Sequence, residues 1–307
     1  MQENYNNGNE GNKRNEYNLN NGFNENDYLD TRLKPGEKIK TKVIRLLPIE
    51  AGSNKFRAEV DVHKLKVDKE ISQTGFKTFH CLNDKNNKRH SENVKCPLCA
   101  KSEELYAESQ KYPRGSEQNK TFWKESKVYE PKKMDILRCI DRDDEAYGPK
   151  FCRFGNYGDG SGVFEMLQVL YKNRDEAAKR AGKPGYNMFN VYDGKDIMIT
   201  IQSKPGINGA PDKTSYTIDI ADDKTPLSTS QEQMNKWIND PKKWTDVYSC
   251  KSYDYLEVVA SGKVPVYSKL LGRYVDKDKK EELEDNLQNG VTPVMAPKAD
   301  ASSDLPF

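Results

Sequence analysis

Long apolar runs are missing from this 307-residue chain, of which only 35% is hydrophobic, and nothing in it approaches the roughly 20 consecutive apolar residues of a membrane-spanning helix. No membrane partner is expected. A basic-then-apolar leader is missing too, which predicts a cytoplasmic protein. The six cysteines do not form the dense pattern of a secreted disulfide scaffold, and their spacing suggests a metal instead. Acidic clusters able to hold Mg²⁺ in a nuclease or primase are scarce. The only dense group near the predicted core, Asp141, Asp143, Asp144 and Glu145, falls between two predicted strands and reads as a solvated turn. No enzyme is expected.

Charge is abundant but almost balanced, with 50 Lys+Arg against 48 Asp+Glu. The balance is uneven along the chain. Residues 1–30 carry 2 basic and 6 acidic side chains, residues 273–307 carry 5 and 8, and residues 31–272 carry 43 and 34. A basic body therefore lies between two acidic ends. The first end holds 11 asparagines among residues 1–29 and no sustained hydrophobic period, so it cannot offset its ordering entropy. It is predicted to be a disordered arm over 1–30. The body over 31–272 is long enough for a real core, and 273–307 reads as an acidic flexible tail.

The body is predicted to be mainly β with inserted helices. Strand-like runs occur at Lys42 to Pro48, Phe56 to Val67, Lys77 to Phe79, Met134 to Ile140, Lys150 to Phe154, Asp196 to Gln202 and Ser215 to Ile220. The last two flank a Gly- and Pro-containing loop, as in a hairpin. Val163, Met166, Leu167, Leu170 and Tyr171 form one apolar helical stripe that stops at Gly182-Lys183-Pro184. A second helix starts at the capping-box pattern Thr229 to Glu232, and Asp240-Pro241 opens a third containing Trp244. Many short strands with few helices suggest a small elaborated barrel.

Cys81, His90, Cys96 and Cys99 form C-x8-H-x5-C-x2-C, in which Cys96-Pro97-Leu98-Cys99 is the compact part. Two thiolates spaced in this way bind one tetrahedral ion from a tight turn, while two further ligands arrive from elsewhere. One structural Zn²⁺ is expected, in a subdomain over about residues 77–130. Such an ion contributes on the order of 10 kcal/mol to the folding of small zinc modules. His80 adjoins Cys81 and could replace it. A redox dithiol at Cys96 and Cys99 would want a thioredoxin-like βαβ setting, which this sequence does not show. His63 has no partner at ligand spacing and reads as a plain strand histidine; Cys139, Cys152 and Cys250 read as buried.

After the zinc region, Lys120, Lys124, Lys127, Lys132 and Lys133 interleave with Phe122, Trp123 and Tyr129. Single-stranded nucleic acid asks for that combination, cations along its backbone and flat side chains under splayed bases. The alternative is a solvated loop anchored by Trp123. In the strand at Lys150, the period of two puts Phe151 and Arg153 on one face, and Arg138 in the preceding strand lies beside the same groove or at its rim. Arg45 interrupts an apolar strand, which makes it a further candidate contact.

Val43-Ile44-Arg45-Leu46-Leu47-Pro48, His90-x5-Cys96-Pro97-x-Cys99, Ile136-Leu137 and Arg153-Phe154-Gly155 together resemble the single-stranded-DNA-binding, helix-destabilising protein of T-even phages, over about residues 35–255. The resemblance implies an OB-fold barrel with a zinc subdomain. It implies a non-enzymatic protein that coats and protects single-stranded DNA in replication, recombination and repair, in a host cytoplasm if phage-encoded. Self-association along DNA is implied as well, although that family's arm is basic and this one is acidic apart from Lys13-Arg14. The terminal Asp304-Leu305-Pro306-Phe307 is similar to the tip of bacterial single-strand-binding proteins, which implies a hook for replication and recombination proteins. A zinc-containing RNA-binding or replication-hub protein remains the alternative.

Overall fold

A computed structural model describes residues 24–86, 95–206 and 213–290. His90, the hairpin tip at 207–212, the first 23 residues and the tip at Asp304, Leu305, Pro306 and Phe307 lie outside the described residues. The chain runs β1 (Ile39–Leu47), β2 (Ala58–Lys66), β3 (Phe76–His80), α1 (Pro97–Ser109), α2 (Glu117–Tyr129), β4 (Lys132–Asp141), β5 (Pro149–Gly155) and α3 (Val163–Arg180). It continues with β6 (Ile197–Lys204), β7 (Lys213–Ile220), α4 (Gln231–Ile238), α5 (Trp244–Val247), α6 (Tyr253–Ala260), β8 (Pro265–Ser268), β9 (Arg273–Asp276) and α7 (Lys280–Gln288).

This is a mixed α/β molecule built on a curled antiparallel half-barrel. The order is β3-β2-β4-β1-β6-β7, with β5 along the other side of β4. Strand β4 shares one edge between two partners: Met134 faces Val60 of β2, whereas Arg138 faces Leu47 of β1. Strand β1 uses both of its edges, pairing on one with β6 through Ile39 to Ile44 and on the other with β4 from Ile44 onward. Strand β4 therefore changes neighbours partway along, the two ladders of β1 overlap only at Ile44, and the staggered sheet curls.

The predicted strands are all present, because their β-branched and apolar residues alternate at the strand period. Ile44, Leu46, Leu137, Cys139, Cys152, Phe154, Ile197, Ile199 and Ile201 pack together beneath α3, which contributes Val163, Phe164 and Leu167 as its stripe predicts. The opposite face of β5 is covered too: Phe151 packs with Ile49, Val60, Ile136 and Trp244 of α5. Helix α4 is capped by Ser230, one residue past the predicted cap, and buries Met234 and Trp237.

Both predicted boundaries of the body move outward. Residues 24–30 are docked rather than loose: Leu29 is buried, its N–H donates to the Phe151 carbonyl, and the Tyr28 hydroxyl donates to the Val247 carbonyl. At the other end, β9 pairs with β8, Tyr274 packs edge-on against Tyr255 of α6, and Ser268 of β8 donates to Glu284 of α7. Two tyrosines and one hydrogen-bonded serine draw the start of the acidic segment into the fold.

Two arginines sit inside the framework. The Arg45 guanidinium is 2% exposed; Nε donates to Asp196 at 2.9 Å and Nη2 to the Thr225 carbonyl at 2.9 Å. Position 194 has to be glycine for this geometry, since a Cβ there would lie 2.2 Å from the Asn190 carbonyl and 3.0 Å from Arg45 Nη1. Arg138, fully buried, donates to the carbonyls of Pro48, Trp237 and Asp240 and so ties β4 to the end of α4. Without Arg45, Asp196 would keep Arg142 at 3.0 Å, but the Thr225 carbonyl would lose its charged donor. Arg45→Ala is therefore expected to lower the unfolding free energy by about 2 kcal/mol, measured by urea denaturation. A change below about 0.5 kcal/mol, the level of an ordinary surface substitution, would contradict this assignment.

Candidate metal centre

Three separate segments bring four ligand atoms together. His63 projects from β2, Cys81 follows the end of β3, and Cys96 and Cys99 open α1, where Pro97 suits the first helical position. Their ligand atoms all lie within 4.8 Å of one another. Cys81 Sγ is 3.4 Å from Cys99 Sγ, and His63 Nε2 is 3.6 Å from Cys96 Sγ and 3.7 Å from Cys99 Sγ. Zinc–sulfur bonds of about 2.3 Å in a tetrahedron put neighbouring sulfurs about 3.8 Å apart, so these separations fit one small cation.

The surroundings orient the ligands for that task. His63 Nδ1 is 2.7 Å from the Tyr129 carbonyl, to which it donates, so Nε2 presents its lone pair to the thiols. The Cys96 N–H donates to Asn83 Oδ1 at 2.6 Å. Hydrogen bonds from Cys81 and Cys99 hold the Cys96 thiol far below its ordinary range, while Cys81 is pushed far up by Cys96, Cys99 and burial. Three thiols this close cannot all ionise alone. A dication would remove that conflict, and the amino end of α1 favours the same thiolates.

His63 is thus a member of the cluster and not a plain strand histidine. The strand register explains why. His63 faces Phe79 across the β2–β3 hairpin, and the Cys81 N–H donates to the Asp61 carbonyl, so His63 and Cys81 share one face as diagonal neighbours. Burial shifts phase at this point, since Val62 and His63 are both buried within an otherwise alternating strand. His80 points elsewhere, with Nε2 3.4 Å from an Arg153 nitrogen and its ring over Trp244 and Tyr248. The cysteines also have an apolar setting that their own segment does not provide. Leu65, Phe79 and Leu98 surround them together with Tyr255, Leu256 and Val259 from α6. Cys139 and Cys152 are buried in the barrel core, and Cys250 is half-buried against the metal-centre cluster.

The remaining candidate residues fall into two groups. Arg45, Arg138 and Phe151 are buried within the framework, where no polymer reaches them; each was drawn inward by a core partner that lies far away in sequence. The basic and aromatic stretch is not a loop but helix α2, capped by Ser116. Its spacing puts Lys120, Trp123, Lys124 and Lys127 on one face, and Trp123 is 45% exposed with Lys127 Nζ 5.9 Å from its ring centre. Phe122 stacks on Tyr112, and Tyr129 packs against the metal-centre core. Lys132 and Lys133 are exposed at the start of β4, beside Glu130 and Glu59 respectively.

Arg153 occupies an intermediate position. Its guanidinium lies 4.9 Å from the Tyr248 ring centre, has no carboxylate partner among the described ion pairs, and lines a cavity of about 320 Å³ with Tyr28, Arg32 and Tyr248. Burial pulls its pKa down. The acids of the β4–β5 turn, by contrast, are all paired: Asp141 and Asp143 with Lys42, Asp144 with Lys150, and Glu145 with Arg142.

No family model matches the chain, and no curated protein matches its sequence. The metal assignment rests on geometry alone. His63→Ala should lose bound metal on gel filtration, as read by elemental analysis, while His90→Ala keeps more of it. The opposite order would return the imidazole position to His90. Because protons compete for thiolate and imidazole, wild-type metal content should also fall on acidification.

Proposed function

We propose that the chain is a sequence-tolerant single-stranded-DNA-binding protein, without enzymatic activity, that coats and protects DNA during replication, recombination and repair. The observation that carries this reading is the outer face of α2, where an exposed indole lies among three lysines at helical spacing. A single strand needs cations spaced along its phosphates and flat surfaces beneath its bases. The lysine ion pairs on this face do not preclude that use. Lys120–Glu117 and Lys127–Glu130 are solvent-exposed, and such pairs are worth at most about 1 kcal/mol. Arg153, a cation without a carboxylate partner beside an aromatic ring, is a second place for a phosphate. The resemblance of the Val43 to Pro48 strand and the Cys96 to Cys99 knuckle to the T-even phage family supports the same reading.

In this reading the curled sheet is an OB-fold barrel, and the ion at His63, Cys81, Cys96 and Cys99 is one structural Zn²⁺. A cluster in which the protein supplies all four positions leaves no open site for a reacting water. The ion would hold α1, and through it α2, against β2 and β3. Asp304 to Phe307 would serve as a hook for replication and recombination partners.

Titration with poly(dT) should quench tryptophan fluorescence, and the signal is assignable because Trp237 and Trp244 are buried while Trp123 is exposed. Trp123→Ala should remove most of the quench and weaken binding by about 1–3 kcal/mol. The logarithm of the affinity should fall with the logarithm of salt at about −0.7 per phosphate contacted. Equal affinity for duplex and single strands, or no salt dependence, would sink the reading. Tighter binding of a matched RNA oligomer would favour RNA as the polymer.

A further inference from the structure

A second cavity lies on the far side of the metal-centre core, between β3, α6 and the β8–β9 hairpin. It measures about 290 Å³, and its lining includes Glu70, Lys77, Lys251, Tyr255, Tyr274 and Lys277. The charges in it do not cancel. Glu70 is taken by Lys277 at 2.6 Å, and Asp254 of α6 accepts from the Tyr274 N–H. Lys77 and Lys251 are left without an ion pair among the described residues. Lys77 Nζ reaches only the Ile71 carbonyl, at 3.4 Å, and lies 5.8 Å from the Phe79 ring centre, while Lys251 Nζ lies 5.3 Å from the Tyr255 ring centre.

Both lysines are half-buried, and both have their pKa pulled down. For Lys77 the causes are burial and then the charge of Lys251; for Lys251 the cause is burial. Two ammonium groups that destabilise each other in a recess walled by tyrosines are costly unless something negative joins them. Among the described residues no carboxylate pairs with either, since Glu70, which shares the cavity, is paired with Lys277.

We infer that this cavity is an oxyanion site that takes a phosphate group, gripped between Lys77 and Lys251 with Tyr255 and Tyr274 as its walls. Two ammonium groups that line one cavity, Lys77 from β3 and Lys251 from the segment before α6, can each give a charge-assisted hydrogen bond to a phosphate oxygen. The aromatic walls leave room for a flat group attached to it. The bearer of the phosphate is either a free phosphate or mononucleotide, or the backbone of a single strand. The site stands whether or not the α2 face binds DNA.

The test uses the full-length protein at constant ionic strength, with inorganic phosphate, dTMP and a dT oligomer as probes in titration calorimetry. Inorganic phosphate or dTMP should bind saturably to the wild type and at least about tenfold more weakly to the Lys77→Gln/Lys251→Gln variant. Lys263→Gln, at an exposed ion pair with Asp278, is the control and should bind as the wild type does. A second readout guards against misfolding: without phosphate the double variant should melt no lower than the wild type, because it loses repulsion and no ion pair. If the oligomer also binds the variant more weakly, with a shallower salt dependence, the chain backbone is the bearer. If only the small probes are affected, a free phosphate or nucleotide is. Equal phosphate binding by wild type and double variant, or no saturable binding of any probe, would overturn the site. A wild type that takes phosphate here but no single strand would refute the DNA reading and leave this one intact.

Discussion

Mutual repulsion among three thiols that cannot all ionise is the constraint around which half of this molecule is arranged. Cys81, Cys96 and Cys99 arrive from two segments, and His63 from a third, so the cluster gathers pieces of chain that the β2–β3 ladder and the Cys96–Asn83 hydrogen bond also hold together. Helix α1 begins at the cluster, α2 packs on α1, and α6 closes the apolar shell around the sulfurs. If a cation satisfies the cluster, its binding energy is also folding energy for this lobe. The half-barrel needs no such device, because its isoleucines, valines and leucines pack into apolar clusters on both faces of the sheet.

Buried cations recur throughout, and their partners separate structure from function. Arg45 has Asp196, and Arg138 has three carbonyls; these are braces between elements. Arg153, Lys77 and Lys251 have no carboxylate partner among the described ion pairs, and they line cavities. A charge that the fold desolvates but does not pair is destabilising by itself, so unpaired positions are where a negative ligand has most to offer. The exposed lysines of α2 carry no such cost and would respond to salt first.

The strands were legible in the sequence because alternation is a local signal, and α3 because its stripe is long and ends at Gly-Lys-Pro. Helices α1 and α2 were not, since both are polar and owe their place to the cluster and to each other. Cys81, Cys96 and Cys99 could be found from spacing, whereas His63 required the β2–β3 register. Arg45 illustrates a different shortfall: its place within an apolar strand suggests a contact to nucleic acid, but its partners are internal, and Asp196 and Thr225 lie too far along the chain for any local pattern to reveal. Lys77 and Lys251 drew no notice for the same reason, being separated by most of the body.

The long-range pairing of β1 on both of its edges also governs how the protein must be made. Strand β1 is synthesised early, but its partner in β4 follows about a hundred residues later and its partner in β6 later still. At 5–20 residues per second, Val43-Ile44-Arg45-Leu46-Leu47 waits on the order of ten seconds for its first neighbour. During that interval an apolar segment with two open edges emerges from the ribosome unpaired. Nascent-chain protection should therefore matter most for this segment, and slowing translation ahead of β4 should favour aggregation over assembly.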